Sequence, residues 1–327
     1  MINSPPRLRC WKRRLVFRVL AAVVLSLGIA FTERALAGDF PSGPTIILGG
    51  QPQATPAAIS HARVAIPPGT TDLNEIIKQK VASMPVGGSY RANIIAMTAL
   101  RQSVQLTDSQ LAIDPNVAKP SFCSGATYLV FLSVLNQLAR DGQIQLDPLT
   151  VRALLIQEHQ PDGNGVWGRW NANGPGTARL FYETGMGYNF TSLADARPGD
   201  FLKIFWHDEI GARETGHSVV YLGTVNTAQG EAVRYWSSNL ANGYGEAIVP
   251  RQRIRRMLFS RLTHPERVQQ ANAIPPRDPY LAAMLKRDST PEEMYQMVGV
   301  ATLPPPLPPE PKAPPLIKRL FGTSGLP

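Results

Sequence analysis

Cys123 is the residue of this chain best suited to nucleophilic chemistry. It lies in the segment PSFCSG, residues 120–125, directly before an apolar run that ends at Leu138. A thiol at a helix N-terminus faces unpaired N–H groups and the positive end of the helix dipole, and both favour the nucleophilic thiolate. The alternative is a small buried core residue, which is the commoner use of a free cysteine. The other cysteine, Cys10, lies in a predicted export signal, so we expect no disulfide in the mature protein.

A cysteine nucleophile needs a base, and His217 is the candidate among the five histidines. It begins the segment HSVVYLG, residues 217–223, whose composition is typical of a strand. A strand could hold the imidazole rigidly at the edge of a sheet. The alternative is a histidine that only caps the strand.

The base in turn needs a polar group that orients its ring. Side chains alternate along a strand, so Ser237 and Asn239 share one face of the next predicted strand and Ser238 points to the other. Asn239 could accept the imidazole N–H, and Ser237 could do so less firmly. The alternative is that these residues merely end the strand.

Two tryptophans lie in a Gly- and Asn-rich segment, residues 160–191, which we interpret as an inserted loop with a short helix near 177–184. Trp167 and Trp170 are the candidate substrate-binding residues, because aromatic rings in loops can stack on sugars. Packing beneath the insertion is the alternative, and the large area that aromatic side chains bury favours it. Nearby acidic and amide residues lack the later ligands of a calcium loop, so we assign no metal.

Hydrophobic periodicity and turn residues predict the elements that position these side chains. The pattern favours an α+β fold, in which N-terminal helices pack on an antiparallel meander of strands. Helices are predicted from Asp72, over about 89–102, from Cys123 to about 142, and over 147–157. After a turn at 197–200, strands are predicted over 201–206, 217–222 and 233–239, with a helical turn and a last strand in 248–262.

Three segments resemble motifs of the NlpC/P60 cysteine peptidases and the related CHAP amidases. The sequence FCSG at 122–125 resembles their nucleophile motif, and RPGDFLKIF at 197–205 resembles their "PGDLVFF"-like strand. The sequence GHSVVYLG at 216–223 resembles their "HVGIYLG"-like base strand. The motifs occur in the family order, and the resemblance covers about residues 115–262.

The resemblance implies a papain-like fold that cuts amide or peptide bonds in the stem peptides of peptidoglycan without a cofactor. Cys123 would be the nucleophile, His217 the base and Asn239 or Ser237 the orienting residue. The chain has Phe122 where NlpC/P60 members usually have Asp, and their upstream Tyr-containing stretch is not evident. No oxyanion-hole side chain is therefore assigned, and the backbone N–H of Cys123 is the candidate donor.

The N-terminus has the layout of an export signal over residues 1–37, with a basic start, an apolar stretch and small residues before Gly38. This predicts a secreted or periplasmic protein without a stable membrane span once the signal is removed. The signal holds seven of the 33 basic and one of the 24 acidic residues, which leaves 26 and 23, a net charge of +3. That charge gives no case for nucleic-acid binding.

The rest of the chain divides by composition. Residues 38–70 are rich in Pro and Gly and are predicted to form a linker, followed by the hydrolase domain over 71–262. Residues 263–327 are predicted to form a Pro-rich, largely disordered tail with one short helix near 289–298.

The residues leave three functions open. The first is the cysteine hydrolase. The second is a catalytically silent module that binds the cell wall or a protein through its tryptophan loop. The third is an acyltransferase, which would use the same triad and differ only in its acceptor. The bond cut and the oligomeric state also stay open.

Overall fold

A seven-stranded antiparallel sheet organises the computed structural model, which describes residues 72–107, 110–158 and 160–305. The α-helices are α1 Leu73–Ser83, α2 Ile94–Gln102, α3 Cys123–Arg140, α4 Pro148–Leu154, α5 Gly165–Asn171, α6 Gly176–Thr184, α7 Pro279–Ala283 and α8 Pro291–Met297. The strands are β1 Gly87–Gly88, β2 Val104–Thr107, β3 Gln110–Ile113, β4 Gly187–Phe190, β5 Phe201–Phe205, β6 Ile210–Gly211, β7 His217–Thr227, β8 Gly230–Asn239, β9 Gly243–Pro250, β10 Arg256–Leu262 and β11 Asp288–Ser289. The expected α+β class and antiparallel sheet are confirmed.

The strand order of the large sheet is β1-β9-β8-β7-β5-β10-β4, so the strands predicted to carry the site lie together at its centre. Ile204 of β5 lies opposite His217 of β7. In the β7–β8 pair, Val220 lies opposite Trp236, and the same register carried to the strand ends brings His217 level with Asn239. Both residues therefore lie at one end of the sheet because of strand pairing alone.

Helix α3 covers one face of this sheet. Most of its side chains are buried, including Phe131 with no exposed area. Trp170 of α5 stacks on Phe131 at 4.7 Å between ring centroids, and Phe201 of β5 meets Trp170 edge-on at 5.2 Å. Aromatic contacts of this kind add to the area they bury, so they fix the helix firmly on the sheet.

The segment 160–191, predicted to be a loop insertion, is instead a structural part of the domain. It forms α5, α6 and the edge strand β4, which pairs with β10. The short helix predicted near 177–184 is confirmed as α6. The sequence did not predict α5 or β4, and α5 is hard to recognise because it has only seven residues, two of which are glycines. Gly176, the first residue of α6, packs closely against α5. A Cβ at this position would lie 2.1 Å from the carbonyl oxygen of Arg169, so only glycine fits.

The prediction of a largely disordered tail from residue 263 is wrong for residues 263–300. Leu281, Met284 and Met294 have no exposed area, and β11 pairs with β6. Arg179 of α6 binds the carboxylate of Asp278 at 2.6 Å, so a buried ion pair attaches this segment. The prediction failed because it relied on the low apolar content of the segment. A few apolar side chains, such as Leu281 and Met294, are enough to hold the segment when they pack against the rest of the domain.

Several expectations lie outside the described residues, namely the export signal 1–37, the linker 38–70 and the Pro-rich stretch from residue 306. Within the described ranges, no helix is both long and apolar enough to cross a membrane.

A pair of leucines tests the attachment of residues 263–300. Leu281→Ala should lower the free energy of unfolding by about 2–5 kcal/mol, because it leaves a cavity under a fully buried side chain. Leu285→Ala is the matched control, since that leucine is 53 % exposed, and it should change stability by less than about 0.5 kcal/mol. Urea unfolding followed by circular dichroism measures both. Equal effects of the two variants would contradict the observed packing.

Candidate active site

Cys123 is the first residue of α3 and is half-buried. The residue before it, Phe122, makes no side-chain cap to the helix and is buried against Trp167, with their rings edge-on at 6.3 Å. Phe122 therefore has a packing role in this chain. Cys123 therefore lies at the N-terminus of α3, where the N–H groups of the first turn have no partner within the helix.

His217 and Asn239 meet at the end of the sheet. The imidazole Nε2 lies 3.3 Å from Oδ1 of Asn239, and the amide nitrogen of Asn239 donates to the carbonyl oxygen of Gly245 at 2.9 Å. Because the amide nitrogen is already used, Oδ1 is free to accept the Nε2 proton. The ring of Tyr235 supports the imidazole edge-on at 5.5 Å. This arrangement leaves Nδ1 as the ring nitrogen available to the thiol, with which His217 forms a hydrogen bond.

The two serines near the end of β8 have other partners. Ser237 is fully buried and donates to the carbonyl oxygen of Ser218 at 2.7 Å, so it stabilises the β7–β8 pair and does not contact the imidazole. Ser238 accepts a hydrogen bond from Ser121 at 2.8 Å, which ties the segment before α3 to the sheet. Of the two candidate orienting residues, the geometry places Asn239 against the base and Ser237 away from it.

Trp167 and Trp170 do not reach the site surface, so their assignment to substrate binding is wrong. Trp167 is 1 % exposed and Trp170 is fully buried. The indole N–H of Trp170 donates to the carbonyl oxygen of Ser124 at 3.1 Å and to Oγ1 of Thr127 at 3.2 Å. Both rings therefore hold the first turns of α3 in place, and the packing alternative describes them.

Tyr90 is a site residue that the sequence did not reveal. It lies in a segment between β1 and α2, which pairs with the residues before Cys123 through hydrogen bonds of Ser121 to Ser89 and Arg91. Its hydroxyl hydrogen-bonds the Cys123 thiol, and burial together with the charge of that thiolate raises the pKa of Tyr90. Tyr90 stays protonated and can donate. The sequence predicts a helix over about 89–102, which includes Tyr90. The contact of Tyr90 with Cys123 instead depends on the pairing of Tyr90 with Ser121, 31 positions later in the chain, and local patterns do not encode such a pairing.

Opposing influences set the ionisation of Cys123. Burial is the largest and raises the pKa of the thiol, but the hydrogen bond and charge of His217 act against it. The charge of Lys203 and the backbone N–H of Ser218 also lower the pKa. The combined effect of His217, Lys203 and Ser218 exceeds that of burial and lowers the pKa of Cys123 to about 6. The thiolate is therefore the main form near neutral pH.

No family model matches the chain, and no curated protein or solved structure matches it. The chemistry of the site is therefore argued from its own geometry. In the described part of the chain, no group of three or more His, Cys, Asp or Glu side chains is placed to hold a metal ion.

The pH dependence of alkylation tests the site. The rate of iodoacetamide labelling should rise with pH through a midpoint of about 6 and then level off, because only the thiolate reacts. His217→Ala should move the midpoint upward, since it removes the main group that favours ionisation. Intact-protein mass spectrometry of timed samples gives the rates. A wild-type midpoint at or above the free-thiol value of about 8.5 would refute an activated cysteine.

Proposed function

We propose that this chain is an exported cysteine hydrolase with a papain-like fold, which cleaves amide or peptide bonds in peptidoglycan stem peptides. The observation that carries the proposal is the contact of a thiol at a helix N-terminus with His217, whose Nε2 meets Asn239 at 3.3 Å. A nucleophile, a base and an oriented amide in this order of contact are what acyl transfer by cysteine requires.

The papain-like assignment rests on how the triad is distributed. The nucleophile begins a helix that packs on an antiparallel sheet, and the base and its orienting residue come from two adjacent strands of that sheet. The three motif resemblances fall on α3, β5 and β7. The substrate class and the location outside the cytoplasm rest on that resemblance and on the signal-like residues 1–37.

The reaction begins when the Cys123 thiolate attacks the carbonyl carbon of the scissile amide. The negative charge passes to the carbonyl oxygen, where the backbone N–H of Cys123 and the hydroxyl of Tyr90 are the available donors. Protonated His217 gives its proton to the leaving amine, the C–N bond breaks, and an acyl thioester remains on Cys123.

Neutral His217 then takes a proton from a water molecule that attacks the thioester. The C–S bond breaks, the carboxylic acid product leaves, and the imidazolium and thiolate are restored. Asn239 keeps the ring in one orientation through both steps. An acyltransferase would differ only in that an amine or hydroxyl takes the place of this water, so its products would carry a new amide or ester.

The silent binding module loses its proposed ligand surface, because the two tryptophans are buried in the core. A low-pKa thiol, an oriented imidazole and a tyrosine hydroxyl have no evident use in a module that only binds. The hydrolase is for this reason the better supported function.

Digestion of purified sacculi tests the proposal. Cys123→Ala should abolish release of fragments, and His217→Ala should reduce it almost as far, because the two residues act as one unit. Asn239→Ala should lower the rate about 10- to 100-fold, which is part of the contribution of general acid–base catalysis. Asn226→Ala, an exposed asparagine on the same strand as the base, is the control and should leave the rate unchanged.

Mass spectrometry of the soluble products identifies the bond that is cut. New carboxyl and amino ends support the hydrolase, whereas a new cross-link supports the acyltransferase. The hydrolase proposal fails if the wild-type chain and Cys123→Ala release the same fragments.

Tyr90→Phe tests the oxyanion donor separately. It removes one hydroxyl from a half-buried ring, so the fold should be retained and the rate should fall by about 10²-fold. A kinetic assay on a defined stem peptide measures kcat and KM. An effect confined to KM would place Tyr90 in substrate binding and contradict its role as a donor to the oxyanion.

A further inference from the structure

A buried lysine lies on the strand next to the catalytic base. Every residue of β5 is buried, and Lys203, in its centre, is 8 % exposed. By alternation it shares a face with Phe201 and Phe205, which pack in apolar clusters. A buried ammonium is unfavourable unless charges or hydrogen bonds compensate it, so its presence calls for an explanation.

The surrounding backbone makes room for this side chain. Gly216 precedes His217 with φ +74°, and a Cβ at that position would lie 2.5 Å from Cε of Lys203. Any larger residue would collide with the lysine stem as well as strain the backbone. Lys203 lies opposite Ser218 in the register of β5 and β7, and its Nζ donates to Oγ of Ser218 at 3.3 Å. The backbone N–H of the same Ser218 hydrogen-bonds the Cys123 sulfur.

Three anionic groups face the ammonium from three different elements. They are Cys123 from α3, Asp162 from the segment before α5 and Glu214 from the segment before β7. In the described part of the chain, Lys203 forms no ion pair with a carboxylate. Glu214 instead accepts backbone N–H groups of Trp206 and Gly216 at 3.1 and 2.8 Å, and Asp162 accepts that of Asn173 at 3.0 Å.

The thiolate is the strongest of these three anionic neighbours. Burial lowers the pKa of Lys203, and Cys123 raises it more than either carboxylate does. In return, Lys203 contributes to the low pKa of Cys123. The other ionisable groups that sense the thiolate are His217, Tyr90 and Tyr235, and the two tyrosines have raised pKa values. Lys203 thus supplies a positive charge near a sulfur whose other cationic partner, His217, must lose its proton during the reaction.

We propose that Lys203 is a positioning residue whose buried positive charge stabilises the Cys123 thiolate and whose bond to Ser218 holds the strand residue that contacts the sulfur. The thiolate then does not depend on the imidazolium alone, and it persists while His217 is neutral. The inference rests on the reactive-cysteine part of the proposed function, and it holds for a hydrolase or an acyltransferase.

Alkylation of Cys123 as a function of pH tests the charge without any substrate. Lys203→Met should raise the midpoint of iodoacetamide labelling by about one pH unit, because the loss of a nearby opposite charge disfavours the thiolate. Lys203→Gln keeps a donor for Ser218 but has no charge, so it should raise the midpoint equally. Lys203→Arg keeps the charge and should stay close to the wild type. A wild-type midpoint in both neutral variants, with intact thermal melts, would overturn the proposal.

A double-variant cycle with the base separates the two cations. The midpoint of His217→Ala should rise but stay below the free-thiol value of about 8.5, whereas His217→Ala combined with Lys203→Met should reach or exceed that value. If His217→Ala alone already reaches it, Lys203 does not sustain the thiolate and the proposal is wrong. This single variant needs no change in the core, so it decides the question even if the neutral lysine variants do not fold.

These results are independent of hydrolysis. A raised labelling midpoint in Lys203→Met together with no activity on sacculi would support the role of Lys203 and contradict the substrate class alone. Unchanged midpoints together with active digestion would do the reverse.

Discussion

The packing of α3 on the central strands of the sheet is the constraint on which the rest of the site depends. A thiol at a helix N-terminus is useful only if the helix cannot slide or turn, since a displacement of about 1 Å is enough to lose much of a catalytic rate. Two kinds of contact prevent this. Trp170, buried beneath the helix, binds the carbonyl oxygen of Ser124, and Ser121 is joined to Ser238 of the sheet. The chain is thereby fixed both before Cys123, at Ser121, and after it, at Ser124.

The same packing buries the thiol, and burial disfavours its ionised form. A half-buried thiolate is disfavoured by desolvation, and burial likewise raises the pKa values of the neighbouring Tyr90 and Tyr235. His217, Lys203 and the N–H of Ser218 together overcome it. Each comes from β5 or β7, so the pairing of these two strands delivers the groups that keep the sulfur ionised.

The segments around the core contribute more than their composition suggests. Arg169 is fully buried in α5, where it pairs with Glu183 at 2.6 Å and donates to the carbonyl oxygen of Pro275 at 2.8 Å. It thus joins the tryptophan helix to α6 and to the segment after β10. Removing one partner from such a buried pair leaves an uncompensated charge, which is strongly destabilising. The segment 160–191 and residues 263–300 are for this reason part of the same folding unit as the site.

Local patterns determined those features of this protein that short stretches of chain carry. The α+β class, the helix beginning at Cys123, the strand beginning at His217 and the alternation along β8 all follow from periodicity and residue type within a few positions. Tertiary structure decided the rest. Three features depend on contacts between residues tens of positions apart: which of Ser237 and Asn239 faces the imidazole, whether the tryptophans face solvent or core, and whether Tyr90 and Lys203 lie near the thiol. Burial and pairing at that range leave no local signature, because each partner alone is compatible with many environments, and only the packed fold selects one.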